Sequence, residues 1–201
     1  MGVDVARFGS DRTVIGIRRG GWARIVSEHS KLATTETTGH VIAAIRAHRP
    51  DEVRIDGVGV GGGVVDQLRE LAINEANGQL DSRVMDGVAI LDMQAGAAAT
   101  DPEHYLNARA EWYWALRERF EAGHIDIDPT DDDLAAQLGA IRYRYTARGQ
   151  VVIESKAELR KRGLPSPDRA DQLMLTAGHV QVDAGQVYED AEVAEFDISL
   201  Y

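Results

Sequence analysis

The chain has 201 residues, of which 44% are hydrophobic and 27% are charged, and it contains no cysteine. This balance is that of one globular domain, and the lack of cysteine excludes disulfides, thiolate zinc sites and cysteine nucleophiles. The net charge of −11 argues against a protein that coats nucleic acid through bulk electrostatics. Because no apolar run approaches the roughly 20 residues that span a bilayer and no secretion signal is visible, neither a membrane nor an exported location is expected.

Strand and helix patterns alternate along the first half of the chain. Three short strands form a meander, then a helix capped by Thr38, a strand, a helix and another strand follow. In the same order these elements lie at 3–5, 13–17, 23–26, 38–49, 53–56, 64–71 and 88–91.

The second half is mostly helical. A long amphipathic helix, a short strand, a helix capped by Thr130, a β-hairpin and a last helix are predicted at 103–122, 125–128, 130–138, 141–153 and 166–180. The order predicts an α/β fold in which three antiparallel strands continue into two parallel ones, with helices on both faces of the mixed sheet. Residues 1–180 are expected to form this domain, and residues 181–201 an acidic, mobile tail.

Two aspartates occupy unusual places on predicted strands. Asp4 is bracketed by Val3 and Val5, so alternation places its carboxylate on the face opposite the valines. Asp56 ends the fourth strand, where ligands of open α/β sheets gather. A buried carboxylate must be paired, solvated or bound to a metal, because burial of an unpaired charge is costly. The structural alternative is that both are ordinary edge or turn residues.

A third acidic group lies in the last helix. Asp168 and Asp171 are three residues apart, which places both carboxylates on one helix face, and Ser166 with Pro167 makes a good helix start. If this face meets the ends of the Asp4 and Asp56 strands, four carboxylates converge, and two divalent cations would neutralise them and could clamp a phosphodiester. Alternatively, Asp168 only complements the helix dipole.

Other metal or nucleotide sites are less supported. The six histidines are scattered without metal-ligand spacing. Gly57, Gly59 and Gly62 match a dinucleotide motif, but they follow the fourth strand and lack the expected acidic partner. We interpret them as a tight turn that lets a backbone approach Asp56. Asp11 belongs either to the first hairpin turn or to the margin of the site.

Five segments in order resemble a known family, the C-terminal nuclease domain of tailed-phage terminase large subunits. The resemblance spans about residues 2–178 and rests on 2–11, 55–61, 107–114, 153–156 and 166–173. It implies an RNase H-like fold and cleavage of double-stranded, concatemeric viral DNA in the host cytoplasm during packaging. It also implies Mg²⁺ or Mn²⁺, as two ions, on Asp4, Asp56 and Asp171, with Asp168 as a variable further ligand.

The resemblance brings further expectations. Partners would be double-stranded DNA, an ATPase motor domain, the small terminase subunit and the portal, although this chain has no phosphate loop and therefore no ATPase domain. Lys156 is the best candidate for a catalytic cation near the metals, and Gln172 replaces the alanine of many relatives, a change expected to be harmless. Arg109 and the neighbouring aromatics 112–114 are expected to be scaffold.

The basic stretch after residue 140 predicts DNA contact. Arg142, Arg144 and Arg148 lie on the predicted hairpin, where phosphate contacts would position a duplex without sequence preference. The alternative is a solvated surface. Two other functions stay open: another RNase H-fold nuclease, such as a resolvase, or a non-catalytic docking module of a packaging complex.

Overall fold

The computed structural model describes residues 1–6 and 11–178 of the chain. The segment expected to be a mobile tail, 181–201, lies outside the described residues. Five strands form one sheet: β1 (Gly2–Asp4), β2 (Thr13–Arg19), β3 (Trp22–His29), β4 (Glu52–Asp56) and β5 (Ala89–Met93). Their order is β3-β2-β1-β4-β5, antiparallel through β3, β2 and β1 and parallel from β1 through β4 to β5. The predicted mixed sheet is confirmed.

Helices cover both faces of this sheet, as predicted. They are α1 (Thr34–His48), α2 (Val60–Ala76), α3 (Ala108–Glu121), α4 (Asp132–Ala140), α5 (Lys156–Lys161) and α6 (Asp168–Ala177). One apolar core lies between the sheet and α1 and α2, and a second lies between the sheet and α3, α4 and α6. A separate hairpin pairs β6 (Tyr143–Tyr145) with β7 (Val151–Ile153). Within the described residues, no helix is long and apolar enough to cross a bilayer.

Two predicted helix starts were wrong. Helix α1 begins one turn before Thr38, whose hydroxyl donates to the Thr34 carbonyl inside the helix and caps nothing. Helix α3 begins five residues later than predicted, because the Asn107 side chain caps it by accepting from the amide of Ala110 at 3.0 Å. The residues before it form a turn closed by the amide of Tyr105 on the carbonyl of Asp101, and the amide of Leu106 donates to the carbonyl of Val151.

The segment 125–128 is not a strand of the described structure. Its backbone forms an isolated bridge between Asp126 and Trp22 at the end of the β2–β3 hairpin. The cap of α4 is Asp131, which accepts from the amide of Leu134 at 2.9 Å, whereas the predicted cap Thr130 bonds to Asp128. Apolar spacing in the sequence located both segments. It could not show that 125–128 forms only an isolated bridge with Trp22 or that Asp131 rather than Thr130 caps α4.

The face of the sheet below α6 is shaped by a glycine pair. Gly2 and Gly16 are paired across β1 and β2, and the side chain of Gln172, which is 1% exposed, lies over them. Its amide nitrogen donates to the carbonyl of Gly2 at 3.2 Å. A Cβ at Gly16 would stand 2.4 Å from the Gln172 Oε1, so the bare backbone is what admits this side chain.

Candidate metal centre

The carboxyl ends of β1 and β4 carry the two strand aspartates. These strands are parallel neighbours in which Val3 pairs with Ile55, so Asp4 and Asp56 follow at the same edge of the sheet. The first turn of α6 reaches this edge and brings Asp168 and Asp171. Asp4, Asp168 and Asp171 are buried and Asp56 is partly buried. The predicted convergence of the four carboxylates is therefore present in the structure.

A single ammonium group lies among these carboxylates. The Nζ of Lys156 is 3.0 Å from Asp171 Oδ2, 3.7 Å from Asp4 Oδ2 and 3.8 Å from Asp168 Oδ1. Lys156 is the first residue of α5, whose start is fixed by a capping box between Ser155 and Glu158. The capped turn that follows β7 thus aims the lysine at the carboxylates.

Asp168 and Asp171 each turn one oxygen towards Lys156 and the other towards different partners. Asp171 Oδ1 accepts from the hydroxyl of Tyr113 at 2.6 Å and from Arg109 Nη2 at 3.2 Å, and Asp168 Oδ2 accepts from the amide of Arg12 at 2.8 Å. The other oxygens, Asp168 Oδ1 and Asp171 Oδ2, are buried and lie 3.8 and 3.0 Å from the Nζ of Lys156. Both therefore face the ammonium.

Burial and the neighbouring charges shift the pKa values of these carboxyl groups in different directions. Burial raises the pKa of Asp4 well above its usual range, and the neighbouring aspartates raise it further against the opposing effect of Lys156. Burial also raises the pKa of Asp56 and of Asp168. For Asp171, burial would raise the pKa, but Lys156 and Arg109 together hold it below the usual value. Asp171 is therefore the member of the cluster whose charged form its surroundings favour.

The donor set fits a hard divalent cation. Within residues 1–6 and 11–178, no three carboxylate or imidazole groups are arranged to hold a metal ion as they stand, and three of the carboxylates instead surround the ammonium of Lys156. Lys156 supplies one positive charge to these buried carboxylates, and carboxylate oxygen is the ligand type that Mg²⁺ and Mn²⁺ prefer. Asp4, Asp168 and Asp171 would hold such an ion, with Asp56 beside them.

Asp92 is an additional carboxylate that the sequence analysis missed. It lies near the carboxyl end of β5, pairs with Ile55, and is among the charges that raise the pKa of Asp56. Its Oδ1 lies so close to Gly57 that a Cβ there would stand 1.8 Å away. The space that Gly57 leaves is therefore filled by Asp92, which replaces our interpretation that a nucleic-acid strand approaches there.

Arg109 and Tyr113 are also closer to the chemistry than expected. They lie four residues apart on α3, so one helix face carries both to Asp171, and the Arg109 guanidinium stacks on the Tyr113 ring with 4.9 Å between centres. Arg109 also donates to the carbonyl of Glu154 at 2.7 Å, two residues before Lys156. In the sequence, the four-residue spacing of Arg109 and Tyr113 within an otherwise apolar helix face was the feature that could have predicted their place at the site.

Tyr113→Phe should lower metal-dependent activity by about 10–100-fold, the usual effect of losing a partner that orients a metal ligand. The ring stays in its packed position and only the hydrogen bond to Asp171 Oδ1 is lost. Mn²⁺ affinity, measured by calorimetry on the folded variant, should fall in parallel. Tyr105→Phe on the neighbouring surface is the matched control and should leave both quantities unchanged.

The arginines predicted to hold DNA are exposed on and beside the β6–β7 hairpin. Arg144 is partly neutralised, because it pairs with Glu158 at 3.0 Å. Arg142 and Arg148 form no ion pair with the described residues. Elsewhere in this basic stretch, Arg160 pairs with Asp11 at 3.0 Å and Arg162 pairs with buried Glu154. The local positive surplus is therefore smaller than the sequence suggests.

Comparisons with known proteins identify the fold. No protein-family model matches the chain, and no curated protein matches it in sequence. The nuclease domain of the large terminase subunit gp2 of bacterial virus Sf6 superposes with a TM-score of 0.73 at 21% identity, covering 89% of this chain and 86% of that one. A lysine-to-alanine mutant of that domain, solved with manganese and β-thujaplicinol, gives 0.73 at 20% with the same coverage.

A second virus gives the same result. The large terminase nuclease of the thermophilic phage G20c, solved with bound magnesium, superposes with a TM-score of 0.59 at 18% identity, covering 87% of this chain and 77% of that one. At such identities the likeness carries the architecture and not the chemistry. The chain has the RNase H-like fold of the nuclease domains of phage large terminase subunits.

Proposed function

We propose that the chain is a metal-dependent endonuclease that cuts double-stranded DNA during phage genome packaging, using two Mg²⁺ or Mn²⁺ ions. The observation that supports this most is the convergence of buried oxygens of Asp4, Asp168 and Asp171 around the ammonium of Lys156. The fold shared with terminase nucleases agrees with it. In packaging, the chain would act with an ATPase motor domain, the small terminase subunit and the portal.

The chain's residues would divide the work as follows. Asp4, Asp56, Asp168 and Asp171 bind the ions, and Arg109 and Tyr113 keep Asp171 oriented by holding its other oxygen. Lys156 carries positive charge beside the reacting phosphate, and Arg142, Arg144 and Arg148 hold the backbone. When bound, the ions supply an activated water and stabilise the leaving oxygen.

Nicking of a supercoiled plasmid tests the proposal directly. Wild-type protein should convert the plasmid to nicked and linear forms with Mn²⁺ or Mg²⁺ and not with a chelator. Asp4→Asn, which keeps the shape of the side chain, should lower the rate by at least about 100-fold, more than the loss of an outer partner does. No cleavage with any divalent metal, or equal cleavage by folded Asp4→Asn, would contradict the proposal.

Stability should depend on pH through Asp4. A carboxyl whose folded-state pKa is raised stabilises the fold while it is protonated, and that contribution is lost as the pH rises through the folded pKa. The melting temperature of metal-free wild type, relative to that of Asp4→Asn, should therefore fall as the pH rises above 3.8, the ordinary value. Asp171, whose pKa is lowered, is already ionised throughout this range.

Metal binding should show the opposite trend with pH. The ions need the charged carboxylates, so Mn²⁺ affinity should increase as the pH rises through the raised pKa of Asp4. Calorimetric titrations at several pH values would measure this, together with the protons that binding releases. A Mn²⁺ affinity independent of pH in wild type would show that Asp4 is already ionised over this range. Protonation of Asp4 would then not control metal binding.

A further inference from the structure

A basic surface lies at the end of the sheet opposite the carboxylates. Strand β2 begins beside Asp4 at Thr13 and ends at Arg19, six residues or about 20 Å away. The turn after β2 brings together arginines of β2 and α3, two histidines and an exposed indole. We call this the β2–β3 end surface, and it consists of Arg18, Arg19, Trp22, His48, Arg119 and His124.

One half of this surface is a cleft of about 410 Å³ that contains two guanidinium groups. Arg18 donates to the backbone carbonyls of Thr176 and Gly20, and Arg119 lies across the cleft. Among residues 1–6 and 11–178, neither arginine has a carboxylate partner. The acid that also lines the cleft, Asp126, is paired with Arg24 at 3.4 Å. Arg18 keeps its positive charge but donates from all three nitrogens to carbonyl oxygens, so Arg119 is the guanidinium that can meet an anion at this opening.

The other half is an open cleft of about 500 Å³ on the α1 side of the same turn. Arg19 donates to the carbonyl of His48 at 2.6 Å, which fixes its guanidinium at the rim. Trp22 is 43% exposed beside it, and the Arg24 guanidinium lies 4.9 Å from the centre of the indole ring. Cations combined with an exposed aromatic ring are typical of nucleic-acid contact surfaces.

The two clefts flank glycines that expose the backbone. Gly20 and Gly123 have positive φ angles and nothing within 4 Å of a Cβ position, so the turn presents no side chain there. A broad polymer can therefore approach the arginines closely. Both clefts are shallow and open, which suits a polyanion passing over the surface better than an enclosed small molecule.

We propose that the β2–β3 end surface binds backbone phosphates of duplex DNA, as a second contact about 20 Å from the carboxylate cluster. The proposal rests on the proposed nuclease function only for the identity of the polyanion. At about 3.4 Å per base pair, the contact falls roughly six base pairs from the point of cutting, for a duplex that runs parallel to β2. The surface would thus fix the direction of the duplex across the domain.

Binding without cleavage tests this. A fluorescein-labelled 30-base-pair duplex is titrated with wild type and with Arg119→Glu in EDTA, at several salt concentrations, with anisotropy as the readout. Arg119→Glu should weaken binding by about 5-fold or more and lower the salt slope by about one, the effect of losing one phosphate contact. Arg19→Glu with Arg119→Glu should lower the slope by about two.

Arg83→Glu is the matched control. Arg83 is exposed, without an ion pair among the described residues, and lies before β5 near the opposite side of the sheet. Arg83→Glu changes the net charge by the same amount as Arg119→Glu, and it should leave the DNA affinity and the salt slope unchanged. Equal weakening by Arg83→Glu would show that only overall charge matters and would overturn the proposal.

Other outcomes are equally decisive. Wild-type affinity in Arg119→Glu, or no DNA binding by wild type at low salt, would overturn the proposal. Poly-glutamate serves as a second probe. If Arg119→Glu lost poly-glutamate binding but kept wild-type DNA binding, the surface would be assigned to an acidic protein and the proposal would be overturned. Cleavage is measured separately on the same samples. Binding through this surface by a protein that never cuts would refute the nuclease function and leave this inference standing.

Discussion

Replacing Lys156 with methionine should destabilise the metal-free protein by about 3 kcal/mol, the lower end for breaking a buried ion pair, because a third of the side chain is exposed. Without the ammonium, three buried aspartates face one another and two oxygens lack any positive partner. The loss should be smaller at acidic pH, where protonation relieves the repulsion. Chemical denaturation in EDTA would measure it.

Divalent metal should restore much of this stability. An ion that binds only the folded state stabilises it by mass action, so millimolar Mn²⁺ should raise the melting temperature of Lys156→Met more than that of wild type. Lys161→Met changes an exposed lysine of the same helix and should alter stability by less than about 0.5 kcal/mol. Lys156→Met as stable as wild type in EDTA would show that the ammonium is not the counterion of the cluster.

A methyl group at Gly16 should cost about 1–3 kcal/mol, the range for overpacking a buried site. The Cβ would meet the Gln172 amide at 2.4 Å, and this side chain is too enclosed to move aside. In Gly16→Ala with Gln172→Ala the clash disappears, so the double mutant should recover about 1–2 kcal/mol relative to additivity. Urea unfolding of the four proteins of the cycle would measure the coupling.

Gly2→Ala gives the contrasting case. Its Cβ would stand 2.6 Å from the backbone carbonyl of Gln172, which truncation of the side chain cannot remove. Gln172→Ala should therefore rescue Gly16→Ala and not Gly2→Ala. Gly39→Ala, in open space on α1, is the reference substitution and should stabilise by about 0.5–1 kcal/mol. Rescue of both glycine substitutions would mean that the side chain alone determines the spacing between α6 and the sheet.

Much of the carboxylate cluster could be predicted from the sequence, for a physical reason. An aspartate between valines on a strand, as at Asp4, violates the apolar pattern of its surroundings, and such violations concentrate where function requires them. The antiparallel and parallel parts of the sheet followed from the order of strand and helix patterns along the chain, and the three-residue spacing of Asp168 and Asp171 needs only helical geometry. These inferences depend on strand alternation and helical spacing, which can be read from a short segment of sequence without knowing its tertiary contacts.

The parts that were missed depend on partners distant in sequence. Asn107 rather than residue 103 starts α3, because the preceding residues pair with β7, about 45 positions later. Asp92 ends an ordinary strand pattern, and only the parallel pairing of β4 with β5 places it beside Asp56. Gln172 looked replaceable, since nothing local shows that Gly2 and Gly16 meet beneath it.

The order in which the carboxylates occur along the chain affects when the centre can assemble during synthesis. Asp4 and Asp56 are made before α6, which is the last described helix, and β1 lies between β2 and β4 in the sheet. Contacts of such long separation form late in folding, because their loops must close first. A ribosome-bound chain that lacks α6 has no complete cluster. In the nuclease that we propose, an unfinished chain would therefore be unable to cut DNA, without a separate inhibitor.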